Sequence, residues 1–187
     1  MTTDRLLLRA FEAGDGRYVA EFVGDREVAK TIDGIPHPYP DGAAVSWISS
    51  HAVDAEAGNG YVWAVTRRRD GSLVGAIALH LHPIHRRGDI GYWIGRPYWN
   101  QEFASEAAQR VVAFAFQSLA LHRVQAFCLP SNAGSARVLE RVGFRRERLL
   151  RDYVLKWGEF QDRAVYGLLH DAWLEHNTGP TPENNAD

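Results

Sequence analysis

Between Ile90 and Glu106 the chain reads Ile-Gly-Tyr-Trp-Ile-Gly-Arg-Pro-Tyr-Trp-Asn-Gln-Glu-Phe-Ala-Ser-Glu: an apolar strand, a tight turn and the start of a helix. Such a segment can cradle a phosphate, because the first amides of a helix lack internal acceptors and its dipole favours a negative group there. The turn is normally glycine-rich, so that backbone can approach the anion. Here Asn100 and Glu102 occupy it, and the Glu102 carboxylate opposes a negative ligand. Two unit charges ~4–5 Å apart repel by about 1–4 kcal/mol at effective dielectrics between water and a protein surface. Arg96 is close enough in sequence to swing in as compensation. Alternatively, Glu102 points to solvent as a helix-start carboxylate, which the macrodipole favours.

A second group of polar side chains precedes this turn. His80 and His82 are two apart near the end of an apolar run, so on a strand they share one face. Imidazole exchanges protons near neutral pH, which suits a general base, and Asp89 opens the following run. His85 adds a third imidazole, but Pro83 turns the chain away from the three or four convergent ligands a metal needs. No metal is expected. Cys128 sits in an apolar run without an adjacent positive charge to activate it and reads as core. Tyr92, Trp93, Tyr98 and Trp99 are either core or an aromatic wall beside a cleft, to which Tyr39 and Trp47 could add.

These residues need a scaffold, and 187 residues with 45% hydrophobic content suffice for one domain but not for two ordinary ones. We expect that domain over residues 1–173. Residues 174–187, ending in Gly-Pro-Thr-Pro-Glu-Asn-Asn-Ala-Asp, lack the apolar surface to offset ordering entropy and read as a disordered tail. Strand-length apolar runs cover 5–9, 61–66, 73–81, 89–94, 123–129, 144–155 and 160–169. Helical spacing covers a stretch opened by Ala13-Gly14-Asp15, then 25–32, a stretch capped by Asp41, 101–119, and 132–142 ended by Gly143. Asp70-Gly71 and Trp157-Gly158 predict hairpins. Pro36, Pro38 and Pro40 make 33–41 a loop and a candidate lip of a cleft. The order predicts a mixed α/β sheet, antiparallel at both ends with one parallel crossover in the middle.

The net charge of −2 argues against a nucleic-acid binder, so Arg67-Arg68-Arg69 and Arg145-Arg146 read as solvated faces. No apolar run of about 18 residues suggests a membrane span. A single cysteine and an N-terminus without a secretory pattern point to the cytoplasm.

Five segments, in common order, carry a resemblance: Thr-Asp-Arg-Leu-Leu-Leu-Arg from Thr3, Ile-Gly-Tyr-Trp-Ile-Gly from Ile90, Phe-Ala-Ser-Glu-Ala from Phe103, Pro-Ser-Asn-Ala-Gly-Ser-Ala-Arg-Val-Leu-Glu-Arg-Val-Gly-Phe from Pro130, and Arg-Asp-Tyr-Val-Leu from Arg151. Over roughly Thr3 to Trp173 the chain resembles the GNAT N-acetyltransferases, within them the RimJ/RimL-like group. That resemblance implies the GNAT fold, α/β (α+β), a mostly antiparallel sheet splayed between the 89–94 and 123–129 strands with helices on both faces. It also implies acetyl-CoA as co-substrate in the gap, and as acceptor a primary amine of a protein N-terminus or a small molecule. The diphosphate would lie over Gln101, Phe103, Ala104 and Ser105, and the pantetheine would pair with backbone at Tyr92, Trp93 and Ile94. Asn132 would hold the cofactor arm, and Arg137 and Arg141 could reach phosphates. Ser135 would protonate the departing thiolate, with Tyr153 the first alternative donor, and His80 or Asp89 would take the amine proton. Read without the resemblance, Asn132 and Ser135 are a helix N-cap and a first-turn hydroxyl.

In the family register Trp99 replaces a basic residue or glutamine, Asn100 and Glu102 replace glycines, and Ala104 satisfies the end of the motif. Arg148 follows Glu147 where relatives often have glycine, and would narrow the acceptor side or simply lie exposed. The alternative these departures leave open is a protein of the same fold without normal CoA use, serving as a binding or assembly module or recruited to other chemistry. Its signature would be a Glu102–Arg96 pair across the diphosphate position, with aromatic rings filling the channel or packing against a partner subunit in a homodimer.

Overall fold

The computed structural model describes residues 1–178. Its strands are β1 (Leu6–Arg9), β2 (Gly60–Arg67), β3 (Leu73–His82), β4 (Arg87–Ile94), β5 (Arg123–Cys128), β6 (Arg145–Lys156) and β7 (Glu159–Leu169). They form one sheet in the order β1-β2-β3-β4-β5-β7-β6. Every neighbouring pair is antiparallel except β4 with β5. Hairpins join antiparallel strands directly, whereas a parallel pair requires a crossover. That crossover is α4 (Phe103–Gln117), which follows the turn after β4. The remaining helices are α1 (Gly16–Gly24), α2 (Arg26–Ala29), α3 (Ala43–Glu56), α5 (Ala133–Val142) and α6 (His170–Thr178).

The two faces of the sheet are covered unequally. On one face α4 buries Phe103, Ala107, Ala108, Val111, Val112, Ala115 and Phe116 against Ile77, Leu79, Ile90, Ile94 and Val124. The alanines on that stripe let the helix lie close to the strands. The other face carries a smaller cluster of Val19, Val23, Ala44, Ala64 and Leu73, with Trp47 and Trp93 packed against it.

Element boundaries differ from the sequence reading in ways with physical causes. Gly42, at φ 76°, precedes α3 instead of a capping Asp41, because the chain enters through a left-handed turn. Helix α4 begins at Phe103, two residues after Gln101, since Asn100 and Glu102 are both left-handed. Leu174 to Thr178, placed in the tail by the sequence reading, continue α6. Trp173 anchors that helix with its ring 5.4 Å from Phe116, and Asn177 Nδ2 donates to Trp173 O at 2.7 Å. The rest of the expected tail, 179–187, lies outside the described residues.

Asp15, only 5% exposed, ties α1 to β1. It accepts from Arg9 Nη1 at 2.7 Å, Arg9 Nη2 at 2.9 Å and Glu12 N at 2.8 Å. Burial pulls its acidity towards the neutral form, but the Arg9 and Glu12 bonds outweigh that and hold the carboxyl below the usual range. Its folded value is therefore depressed. The stability it contributes is present above the unfolded value of about 3.9 and is lost as pH falls through the folded value. Asp15→Asn is expected to cost about 3 kcal/mol in urea denaturation at pH 7, the scale of breaking a buried pair. The same experiment below pH 4 should show a shallower acid loss in the variant than in the parent.

Candidate active site

Strands β4 and β5 pair only from Arg87↔Arg123 to Ile90↔Ala126. Beyond that, β4 continues to Ile94 still paired with β3, through Gly75↔Ile94, so a wedge opens on its β5 side alone. Gly95 N donates to Val74 O at 2.8 Å. The alternation of an antiparallel ladder then turns the amide groups of Trp93 towards β3 and those of Tyr92 and Ile94 into the wedge. Two of the three backbone positions expected to meet an extended ligand thus face the opening, and Trp93 does not. Trp99 Nε1 already donates to the Ile94 carbonyl at 2.7 Å.

At the mouth of the wedge stands the start of α4. No side chain caps it, and its first internal bond is Glu106 N to Glu102 O at 3.0 Å. The amides of Phe103, Ala104 and Ser105 therefore have no acceptor within the helix. Asn100 (φ 58°) and Glu102 (φ 64°) keep the backbone shape a glycine turn would have. An L side chain there costs roughly 1–2 kcal/mol, less for asparagine. Gln101 faces away, its Nε2 donating to Pro97 O at 3.1 Å. The turn is held from behind by Glu106, which accepts from Thr3 Oγ1, from Arg5 N at 2.9 Å and from Arg5 Nε at 2.6 Å. The Arg5 guanidinium also lies 4.9 Å from the Phe103 ring centre.

Charge compensation at Glu102 comes from a residue other than the expected one. Arg141 Nη1, on α5, donates to Glu102 Oε1, while Arg96 lies 3.7 Å from Asp25. Glu102 and Arg141 are 60% and 55% exposed, so water competes for both and the pair exchanges readily. Arg137, one turn before Arg141, lines a cavity of about 260 Å³ with Cys128, Ala136, Arg146 and Tyr166. Burial pushes the Cys128 thiol up, as befits a core cysteine.

The start of α5 closes the α4 side of the wedge. Asn132 Oδ1 accepts from Ser135 N at 3.0 Å, a true N-cap. The Tyr92 phenol lies 2.9 Å from Ser135 Oγ and 3.3 Å from Ser135 O.

Asp89, Gly91 and Trp93 share the opposite face of β4. A side chain at Gly91 would meet nothing within 4 Å, so the strand floor is open between a carboxylate and an indole. His82 Nε2 is 3.1 Å from Asp89 Oδ2, and Arg87 Nε is 3.5 Å from Oδ1. His80 is the register partner of Asp89, yet its side chain is exposed; the imidazole that reaches the carboxylate is the diagonal one. On β5 the same face carries Gln125 and Phe127, and the Arg163 guanidinium stacks 4.3 Å from the Phe127 ring while pairing with Asp33 at 3.1 Å. Arg123 and Glu147 pair at 2.6 Å, possible because the ladder slips between Arg146 and Arg148 and Gly167 has no side chain to obstruct them. The lips of this face meet where Lys156 Nζ donates to Ile32 O at 2.7 Å and Trp157 Nε1 to Ile35 O at 3.1 Å. Among the described residues no group of three or more histidines, cysteines or carboxylates is placed to hold a metal ion, and no helix is long and apolar enough to cross a membrane.

Sequence reasoning missed Arg163, and it named His82 and Arg141 without the partners the structure gives them. Alternation placed His80 and His82 on one face; the register pairs Asp89 with His80, and the contact runs diagonally to His82, which no local pattern indicates. Arg141 was visible as a basic residue on α5, and its partner emerges only once α4 and α5 are side by side.

Comparison with known proteins agrees with this architecture. The uncharacterized N-acetyltransferase YnaD of Bacillus subtilis (strain 168) is 32% identical over 174 residues, 92% of this chain and 98% of that protein. The [ribosomal protein uS5]-alanine N-acetyltransferase of Escherichia coli (strain K12) is 23% identical over 92% of each chain. The crystal structure of a GNAT-family acetyltransferase from Bacillus anthracis superposes with a TM-score of 0.82 at 28% identity, covering 91% of this chain and 98% of that one. The acetyltransferase (GNAT) domain model matches residues 5–145, and the chain belongs to this family of acyltransferases.

Proposed function

We propose that this protein transfers the acetyl group of acetyl-CoA to a primary amine, on a protein N-terminus or a small molecule. One observation carries the reading: the unpaired edge of β4 opens beside three uncapped amides of α4. An extended amide-bearing arm fits the first, and a diphosphate fits the second. The Escherichia coli relative named for a ribosomal-protein alanine supports an amine acceptor. Bound there, acetyl-CoA would supply an activated thioester.

The protein's own groups divide the work between the two faces. Tyr92 and Ile94 offer backbone to the arm, Phe103, Ala104 and Ser105 offer amides to the diphosphate, and Asn132 orders the turn that presents Ser135. Arg141 is the guanidinium that can exchange Glu102 for a phosphate. Ser135 donates a hydrogen bond to the departing sulfur from the α4–α5 face. From the other face Asp89, oriented by His82, takes the amine proton over the gap at Gly91.

Three variants test this. Ser135→Ala is expected to lower kcat by about 10²–10⁴-fold, the usual contribution of a positioned acid–base group, with little change in acetyl-CoA affinity. Asp89→Asn should lower kcat on a similar scale and also spare acetyl-CoA affinity. Replacing Asn100 and Glu102 together by glycine should tighten acetyl-CoA about tenfold in titration calorimetry, from relieved repulsion and a freed Arg141. Glu102 also favours a second reading, a module of the same fold that no longer uses CoA. Absence of acetyl-CoA binding by both the parent and the double-glycine variant would establish that reading in place of the first.

A further inference from the structure

We infer that Tyr92 is a positioning residue for Ser135, donating to the serine oxygen so that the serine's own hydrogen is left for the sulfur of the thioester. This rests on the proposed use of acetyl-CoA and goes beyond it, since Tyr92 entered that reading only through its backbone. The phenolic oxygen lies 2.9 Å from Ser135 Oγ and 3.3 Å from Ser135 O. A carbonyl oxygen can only accept, so the phenolic hydrogen points towards α5; the shorter contact to Oγ admits either oxygen as donor, and we assign it to the phenol. Ser135 Oγ has no other protein partner among the described residues, and its amide is held separately by Asn132 Oδ1. The hydroxyl is thus fixed through its oxygen while its hydrogen is uncommitted. A hydroxyl that accepts a hydrogen bond also donates a stronger one.

The surroundings keep Tyr92 in the donor state. Burial pushes its phenol well above the usual range; the bond to Ser135 acts in the opposite direction, and Cys128 of β5 and Tyr166 of β7 add to the rise. Burial likewise pushes up the Cys128 thiol and the Tyr166 phenol. The step then balances without a proton leaving Tyr92 or Ser135. The amine lone pair forms the new C–N bond, the C–S electron pair goes to sulfur, and the amine proton goes to Asp89 and His82. Sulfur departs as a thiolate that accepts from Ser135 Oγ.

A binding experiment reads this without turnover. CoA and desulfo-CoA, which lacks the thiol, are titrated calorimetrically from pH 6 to 10 into the parent, Tyr92→Phe, Ser135→Ala and the double variant. In the parent, preference for CoA over desulfo-CoA should grow as the thiol ionises, because the bound thiolate is stabilised. Tyr92→Phe should shrink that preference about three- to tenfold at high pH, the scale of one neutral hydrogen bond. Ser135→Ala should abolish it, and Tyr92→Phe should add nothing in the Ser135→Ala background. The inference is overturned if Tyr92→Phe keeps the parental preference, weakens both ligands equally, or acts as strongly without Ser135 as with it. If the parent binds neither ligand at any pH, the acetyl-CoA reading itself falls and this inference with it, an outcome distinct from the other three.

Discussion

The parallel pairing of β4 with β5 stops at Ile90↔Ala126, and the remaining site features take their places from that termination. A parallel pair cannot be closed by a hairpin, so the chain must leave β4, cross one face as α4 and return as β5. The crossover places the exposed amides of a helix start beside the strand edge left unpaired. Gly91 to Ile94 then keep β3 on one side, while Tyr92 and Ile94 present backbone on the other. Ser135 lies on the α4–α5 side of this opening and Asp89 on the other face of the sheet.

The electrostatics of the turn are local and self-balancing. A glutamate in the left-handed region at a helix start combines strain with a charge suited to the empty helix dipole but unsuited to a phosphate. Arg141 offsets that charge from the neighbouring helix, and because both groups are largely exposed the pair is held weakly. Deeper in the protein the ion pairs have another character. Arg9–Asp15 is partly buried, Arg5–Glu106 has a covered carboxylate and a half-exposed guanidinium, and both are multiply hydrogen-bonded and join the N-terminal segment to α1 and to α4. The exposed pair can change partners while the buried pairs set the frame.

Most of the fold was legible in the sequence because hydrophobic period and turn chemistry are local. The runs at 61–66 and 73–81 with Asp70-Gly71 between them required no tertiary information to become β2, β3 and their hairpin. The centre of the sheet followed from the alanine-rich helix between two apolar runs. Helix starts were less legible where a left-handed residue, not a capping side chain, sets the boundary, as at Gly42 and Glu102. The site was legible down to residue type but not to pairing. His82 rather than His80 meets Asp89 because the contact runs diagonally across the ladder and not along the register pair, and Arg141 rather than Arg96 meets Glu102 because of how two helices pack. The tail failed from the other direction: local polarity at Glu175 to Thr178 was outweighed by the anchoring of Trp173.

The lips of the sheet face that carries Asp89 are joined through an asymmetry. The β6–β7 hairpin contributes side chains, the Lys156 ammonium (its residue 3% exposed) and the Trp157 indole, which bind the carbonyls of Ile32 and Ile35, while Arg163 of β7 pairs with the Asp33 carboxylate and the His37 ring lies 5.6 Å from that of Trp157. Every residue type has a carbonyl. That part of the attachment is therefore blind to which side chains stand at Ile32 and Ile35, whereas exchanging Asp33 removes the Arg163 pair. Such a joint divides adhesion between backbone and one carboxylate: the rim can change at the positions held through carbonyls alone while the scaffold beneath it stays as it is.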